Sequence, residues 1–143
     1  MDKGPKIQII FVGKTKEAWL ETALKEYLKR LEPYCRILWT CAKDDIQLTK
    51  ILQKQKQYIC LDASGVALNS IKLANYLEKY LVQWEGEISF VIGGAEGLPT
   101  ELKKGKPLLS LSSLTFTHQI VRLILLEQIY RGFTIINGLP YHK

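Results

Sequence analysis

Three short segments of this 143-residue chain carry residue types suited to gripping a small molecule through backbone and hydroxyl groups. They are Leu61-Asp62-Ala63-Ser64-Gly65, Ile92-Gly93-Gly94-Ala95-Glu96-Gly97, and the run from Ser110 to His118, SLSSLTFTH. Glycines 93, 94 and 97 let the backbone approach a ligand or adopt positive φ, and the third segment offers hydroxyls and free N–H groups just before a helix N-terminus. Each segment alone is also an ordinary turn, with glycine supplying φ > 0 and Ser/Thr supplying caps. Three of them at successive strand ends favour one shared pocket, because ligands of open parallel sheets bind outside the carboxyl ends of the strands. The spacing is neither G-x-G-x-x-G after the first strand nor G-x-x-x-x-G-K-[ST]. A nucleoside-like ligand held without a phosphate loop therefore fits better than a nicotinamide dinucleotide or ATP.

Proton-handling groups are few. The two histidines are His118, at the start of the last helix, and His142, in a terminal Tyr141-His142-Lys143 that is either functional or a frayed basic tail. Arg122 follows His118 by one turn on an otherwise apolar helix. It needs a partner there, either Glu127 of the same or another subunit or a nucleic-acid phosphate. Glu96 suits either a ligand ammonium or the N-terminal end of a helix. Cys35, Cys41 and Cys60 show no C-x-x-C spacing and no nearby histidine, so they read as reduced thiols rather than a disulfide framework or a metal site. Lys and Arg number 20 against 14 Asp and Glu, a net +6, which favours a polyanionic partner. Lys3, Lys6, Lys14, Lys16 and Lys43 are candidates for the basic rim, although scattered lysines are also a common solvated surface.

The elements that position these groups follow from periodicity. Lys6 to Val12 is a buried strand closed by Gly13, and a helix capped by Thr15 runs through Trp19, Leu20, Leu24, Leu28 and Leu31 to Pro33. Strands at 37–40, 57–61, 87–92 and 108–111 alternate with helical stretches. These comprise an Ile46/Ile51/Leu52 stripe, residues 70–84 with Ile71, Ala74, Leu77 and Leu81 inward, a short piece at 101–104, and residues 119–131, where Ile120, Val121, Ile124 and Leu125 face a core or a second subunit. The alternation predicts one α/β domain over residues 1–143, with a mostly parallel sheet and helices on both faces. Phe133 to Lys143 is expected to lack regular structure. The start lacks a signal peptide and no apolar run reaches bilayer length, so a cytoplasmic protein without a membrane partner is expected.

The runs FVIGGAEGLP and LSLSSLTFTHQIVRLILLEQIYR and the terminal PYHK resemble, in order and over almost the whole chain, the ribosomal RNA large subunit methyltransferase H family, a minimal branch of the SPOUT class. The resemblance implies a C-terminal trefoil knot, a homodimer, and transfer of a methyl group from S-adenosylmethionine to N3 of a pseudouridine in a hairpin loop of large-subunit ribosomal RNA within the ribosome. It implies cofactor contacts from Leu61, Gly94 and the segment Ser112, Ser113, Leu114, Thr115, Phe116 and Thr117. It also implies that the tail reaches the partner's cofactor pocket. His142 then removes the N3 proton or orients the base, Tyr141 packs on that base and Lys143 contacts phosphate. Arg122 and His118 serve catalysis and substrate binding. Thr117 stands where proline is common in the family, and Met1 to Pro5 extend ahead of its usual start. The alternatives are a SPOUT enzyme acting on another RNA and a non-catalytic flavodoxin-like binding module.

Overall fold

In the computed structural model, which describes residues 4–143, strand and helix alternate as the sequence predicts. The order is β1 (Lys6–Val12), α1 (Ala18–Leu31), β2 (Arg36–Ala42), α2 (Asp45–Gln53), β3 (Ile59–Ala67), α3 (Ser70–Gln83), β4 (Glu87–Ile92), α4 (Thr100–Lys103), β5 (Leu108–Ser110) and α5 (Ile120–Ile136). The five strands form one sheet in the order β2-β1-β4-β3-β5, and every pairing is parallel.

Burial on both faces explains why the strands read as nearly continuous apolar runs. Ile7, Ile9 and Phe11 of β1 join Ile88, Phe90 and Ile92 of β4 in one core, closed by Leu20 and Leu24 of α1, Leu73 and Leu77 of α3, and Leu125, Leu126 and Ile129 of α5. The alternate residues Ile10, Cys60 and Val91 face a smaller core under Leu48 and Leu52 of α2. The two-residue period of a strand thus sorts its side chains between two helical layers. Side-chain caps fix two helix starts: Asp44 Oδ1 accepts from Gln47 N (2.9 Å), and Asn69 Oδ1 accepts from Lys72 N (2.8 Å).

Several local expectations are corrected. Thr15 does not cap α1, which begins at Ala18 with Glu17 in the cap position; the Thr15 hydroxyl instead accepts from Arg122. Ile46 and Ile71 are exposed, and Leu48 and Leu73 join the expected Leu52, Ala74 and Leu77 on the buried faces of α2 and α3. Strand β3 does not end at Leu61. Leu61 and Val66 both pair with Leu109, so residues 62–65 bow out as a bulge and the strand resumes to Ala67. The last helix is longer than its periodicity suggested: Phe133 to Ile136 are helical, and Phe133 and Thr134 are buried. It ends as glycine-terminated helices commonly do, with Gly138 at φ +68° and Leu139 N donating to Thr134 O (2.8 Å). Only the residues beyond it are irregular.

Phe133→Ala is expected to cost about 3–5 kcal/mol of unfolding free energy in a urea titration, as for an aromatic side chain lost from a packed core. A loss below about 1 kcal/mol would mean that this turn is not packed.

Candidate functional site

A cavity of about 610 Å³ opens at the carboxyl ends of β3, β4 and β5. Its size falls within the roughly 300–1,000 Å³ typical of cofactor sites. The three segments singled out from the sequence meet there. Leu61, Gly94, Ser112, Leu114, Thr115, Phe116, Thr117 and His118 all line it, while Ser113 is exposed outside its wall. Asp62, Ile92, Gly93 and Val121 also contribute. The strand-end position of Asp62 and Gly93 was visible in the sequence, but only the fold shows that the 62–65 bulge turns toward the cavity.

Glycine is required at two points of this wall. A Cβ on Gly65 would lie 2.4 Å from the Leu108 carbonyl carbon, and one on Gly93 would lie 2.6 Å from Gly97 C and Leu98 N. At Gly93 the chain folds onto itself, with Gly97 N donating to Gly94 O (2.9 Å) and Gly97 at φ +80°. Gly94 differs, because a Cβ there meets only Val12 at 3.6 Å, an ordinary contact. The 110–117 segment is held by its own hydroxyls: Ser110 Oγ donates to Ser112 O (3.0 Å), Leu114 N donates to Ser112 Oγ (3.0 Å), and Ile120 N donates to Thr117 Oγ1 (3.2 Å).

Asp62 is the charged group of the wall. It accepts from Lys103 Nζ (2.7 Å), Ser64 Oγ (2.6 Å) and Ser64 N (2.8 Å), and these bonds hold its carboxyl down at about 2. Desolvation lowers the basicity of His118, and the nearby Arg122 and Lys16 cations lower it further. Its Nε2 lies 3.4 Å from Gln119 Nε2.

Arg122 is fully buried, which corrects the expectation of an ion pair with Glu127 and of a phosphate contact made from this position. Its guanidinium donates to Val12 O (2.8 Å) and Thr15 Oγ1 (3.1 Å) and lies 4.2 Å over the Phe11 ring. Glu127 pairs instead with Arg131 (2.9 Å). Glu96 is exposed in the Gly94–Gly97 turn, between the wall residues Ala95 and Gly97, and lies too far ahead of α4, which starts at Thr100, to serve as its N-terminal acid. Lys6 belongs to the opposite, amino end of the sheet, near Glu87 (4.0 Å). Lys14, Lys16 and Lys43 do stand at the cavity's end of the strands, and Lys3 lies outside the described residues. No group of three or more His, Cys, Asp or Glu among the described residues is arranged to hold a metal. The cysteines are free thiols, with burial pushing Cys35 up to about 12 and Cys60 up to about 11.

The tail forms a second cluster. Tyr141 Oη donates to Glu127 Oε2 (2.9 Å) and lies 3.3 Å from Tyr27 Oη, its ring meets Tyr130 edge-on at 4.8 Å, and Arg131 sits 4.8 Å over that ring. Arg131 Nη1 lies 3.1 Å from His142 Nδ1. Lys143 is exposed. None of these residues lines the cavity of its own chain, and Arg131 is about 15 Å along α5 from Val121 at helical rise.

A family model described as "Predicted SPOUT methyltransferase" matches residues 6–142. Proteins named ribosomal RNA large subunit methyltransferase H align along nearly their whole lengths. That of Protochlamydia amoebophila (strain UWE25) is 51% identical, covering 96% of this chain and 99% of the relative, and that of Halothermothrix orenii (strain H 168) is 40% identical with the same coverage. The chain belongs to the ribosomal RNA large subunit methyltransferase H family of SPOUT methyltransferases. Solved structures share its fold at low identity. A methylase-family protein of Haemophilus influenzae Rd KW20 gives a TM-score of 0.61 at 10% identity over 96% of this chain and 70% of its own. A Legionella pneumophila protein solved with the bound cofactor SAM gives 0.54 at 12% over 90% and 66%. Strand order separately excludes the flavodoxin-like alternative, which requires 2-1-3-4-5, whereas this SPOUT sheet places β4 between β1 and β3.

Steric differences between adjacent glycines give a direct test. Gly93→Ala should cost about 1–3 kcal/mol of stability by overpacking, and Gly94→Ala should change it by less than about 1 kcal/mol, both read from urea unfolding. Equal costs would contradict the turn geometry. Lys103→Ala should raise the Asp62 carboxyl from about 2 toward its ordinary value in a carboxyl-carbon NMR titration. Because the folded value is depressed, Asp62 contributes stability that is full above the unfolded carboxyl range near pH 4. That contribution fades as pH falls toward 2, and it should be smaller in Lys103→Ala, where the two Ser64 bonds remain.

Proposed function

We propose that this chain transfers a methyl group from S-adenosylmethionine to N3 of a pseudouridine in a hairpin loop of large-subunit ribosomal RNA. In this reading it acts on the ribosome in the cytoplasm as a homodimer with a C-terminal trefoil knot. The observation that carries the reading is the convergence of Leu61, Gly94 and the 112–117 segment on one cavity, in a chain 51% identical to a methyltransferase H relative over nearly the full length of both.

The cavity suits such a cofactor. Residues of the Gly93–Gly97 turn and the 112–117 segment line it together with apolar Leu61, Ile92, Leu111 and Phe116, a composition matched to an adenosine and the methylene chain of a methionine. S-adenosylmethionine, when bound, supplies an electrophilic methyl group on a positively charged sulfur. The chain's own groups limit their opposition to that charge: desolvation and nearby cations lower the basicity of His118, and the Lys103 ammonium is matched by the Asp62 carboxylate. Methyl transfer to nitrogen is an in-line displacement, so positioning supplies most of the rate.

The tail supplies the substrate-facing groups. Glu127, accepting from Tyr141 and Arg131, locks the phenol in place, and burial and the Glu127 charge keep that phenol protonated. Arg131 donates to His142 Nδ1, so a neutral His142 carries its proton on Nε2 and offers that N–H outward. Of its two expected roles, this geometry favours orienting the base by donation, and the N3 proton then passes to solvent water as N3 takes the methyl group and the sulfur keeps the electron pair of the broken bond. Lys143, Lys14, Lys16 and Lys43 supply phosphate contacts. Because the tail lies far along α5 from its own cavity, it completes the site of a second copy. Exposed Trp19 and Leu139 and the half-buried Ile120, Leu123 and Ile124 provide apolar surface for that pairing. The knot is supported by the path of the chain. The β4–β5 connection passes over β3 to the sheet edge, and the 62–65 bulge lies hard against the β5 backbone at Gly65.

Incubation with radiolabelled methyl-S-adenosylmethionine and intact ribosomes, separated subunits or transfer RNA is expected to label a pseudouridine of the large-subunit RNA only. His142→Ala and Tyr141→Phe should each lower kcat about 10-fold to 100-fold while leaving calorimetric cofactor affinity unchanged, because each removes one orienting bond. Gly94→Ala should do the reverse, weakening cofactor binding in a normally folded protein. Label in transfer RNA, or cofactor binding without label in any RNA, would end the assignment.

A further inference from the structure

Two side chains of the first turn of α5 reach across to the connection between β1 and α1 and hold it residue by residue. Gln119 Nε2 donates to Lys14 O (3.1 Å), and Lys16 N donates to Gln119 Oε1 (3.1 Å). Between them, Arg122 donates to the Thr15 hydroxyl (3.1 Å), and its second terminal nitrogen donates to Val12 O (2.8 Å). These bonds span more than a hundred residues of sequence. An unhelped connection here would be loose, since Gly13 sits at φ +82° and no side chain caps α1.

Arg122 is the unusual member. It is fully buried, touches no carboxylate, has its Nε without a partner among the described residues, and rests on the Phe11 ring. Burying an arginine this way is costly. The effect is to place an uncompensated positive charge beneath a segment whose two lysines are exposed and form no ion pair among the described residues. Lys43, one residue past Ala42, stands beside them because Val12 pairs with Ala42 and Gly13 N donates to Ala42 O (2.8 Å). The nearest acids are otherwise engaged or at helix starts: Asp44 caps α2, while Asp45 and Glu17 open helices.

We propose that Gln119 and Arg122 are positioning residues that hold the Lys14–Lys16 segment as a phosphate-contacting rim for RNA. The same helix turn would then set both the cofactor wall, through His118 and Val121, and the rim that receives the substrate backbone. This rests on the RNA reading above and deepens it: the rim is built by backbone hydrogen bonds from α5, so its contribution to affinity depends on residues that never touch RNA. A cation rim aligned this way contributes to affinity through counterion release, which is read as a salt dependence.

The test is a mutant cycle on ribosome binding, by co-sedimentation at several salt concentrations, alongside methylation kinetics. Gln119→Ala removes both backbone bonds and should weaken binding and raise KM for ribosomes about fivefold to tenfold, with kcat at saturation and calorimetric cofactor affinity within about twofold. Gln119→Glu keeps the bond from Lys16 N and loses the one to Lys14 O, so it should fall between. The double variant Lys14→Ala/Lys16→Ala should reduce the salt slope by about one to two units, and adding Gln119→Ala to it should change nothing further. Unfolding curves check that each variant folds. The inference is overturned if Gln119→Ala leaves binding unchanged, if it weakens binding equally with and without the lysines, or if the double lysine variant binds with the wild-type salt slope. Lysine-dependent binding without methylation of any RNA would instead sink the enzymatic reading and leave the rim standing.

Discussion

Backbone lies directly against backbone at Gly65 and Gly93, and the cavity exists because of those two contacts. At Gly65 the bulge of β3 presses on the Leu108 and Leu109 main chain, and at Gly93 the turn after β4 closes on Gly97 and Leu98. Any side chain at either point would push the segments apart by more than a van der Waals radius can absorb. Both contacts sit at the carboxyl ends of central strands, where a parallel sheet already exposes unpaired amides and carbonyls. Two close approaches thus shape a strand-end crevice into a cavity lined by apolar side chains, glycines and serine and threonine residues. Such a wall is suited to a ligand recognised by shape and hydrogen bonding rather than by charge. The one acidic side chain in it, Asp62, is already neutralised by Lys103.

Much of this was legible in the sequence, and the parts that were not have a common cause. The strand–helix alternation and the three ligand loops could be read because each is local: period-two burial, glycine clusters and serine-rich caps are properties of neighbouring residues. What escaped depends on pairing between distant segments. Strand β3 resumes at Val66 only because Leu109 offers a second partner, and the extra turn of α5 forms because Phe133 finds the core. Ile46 and Ile71 look inward on composition, but Leu48 and Leu73 carry the buried face because the helix azimuth is set by the sheet below. Thr15 was read as a cap from its neighbours and instead serves Arg122, more than a hundred residues away. The family resemblance bridged the functional gap, but no local pattern showed that Arg122 would be buried without an acid.

Helix α5 unites these observations. Its first turn follows the 112–118 wall, its middle packs on α1 and α3 in the main core, and its last turns hold the tail. Gly132 allows the close approach to α3, since a Cβ there would meet Leu77 Cδ1 at 2.7 Å. One rigid, strongly apolar rod therefore fixes the relative placement of the cofactor wall, the lysine segment and the terminal cluster. The cavity and the lysine segment thereby keep a fixed spacing on one helix.

The tail cluster completes the electrostatic logic. The Glu127 carboxylate receives bonds from both Arg131 and the Tyr141 phenol, so it is balanced locally. Arg131, fixed by Glu127, commits the Nδ1 lone pair of His142. Each group in the chain Glu127, Arg131, His142 thus restrains the next, out to a side chain next to the last residue of the sequence. A terminal segment left to itself would spread over many conformers, and here one conformer is selected by a carboxylate and a guanidinium on consecutive helical turns, reinforced by aromatic contacts from Tyr130 and Tyr27. The cavity of the same chain is about 15 Å away along the helix, so the rod that carries the wall residue Val121 at one end carries at the other the guanidinium that orders the tail.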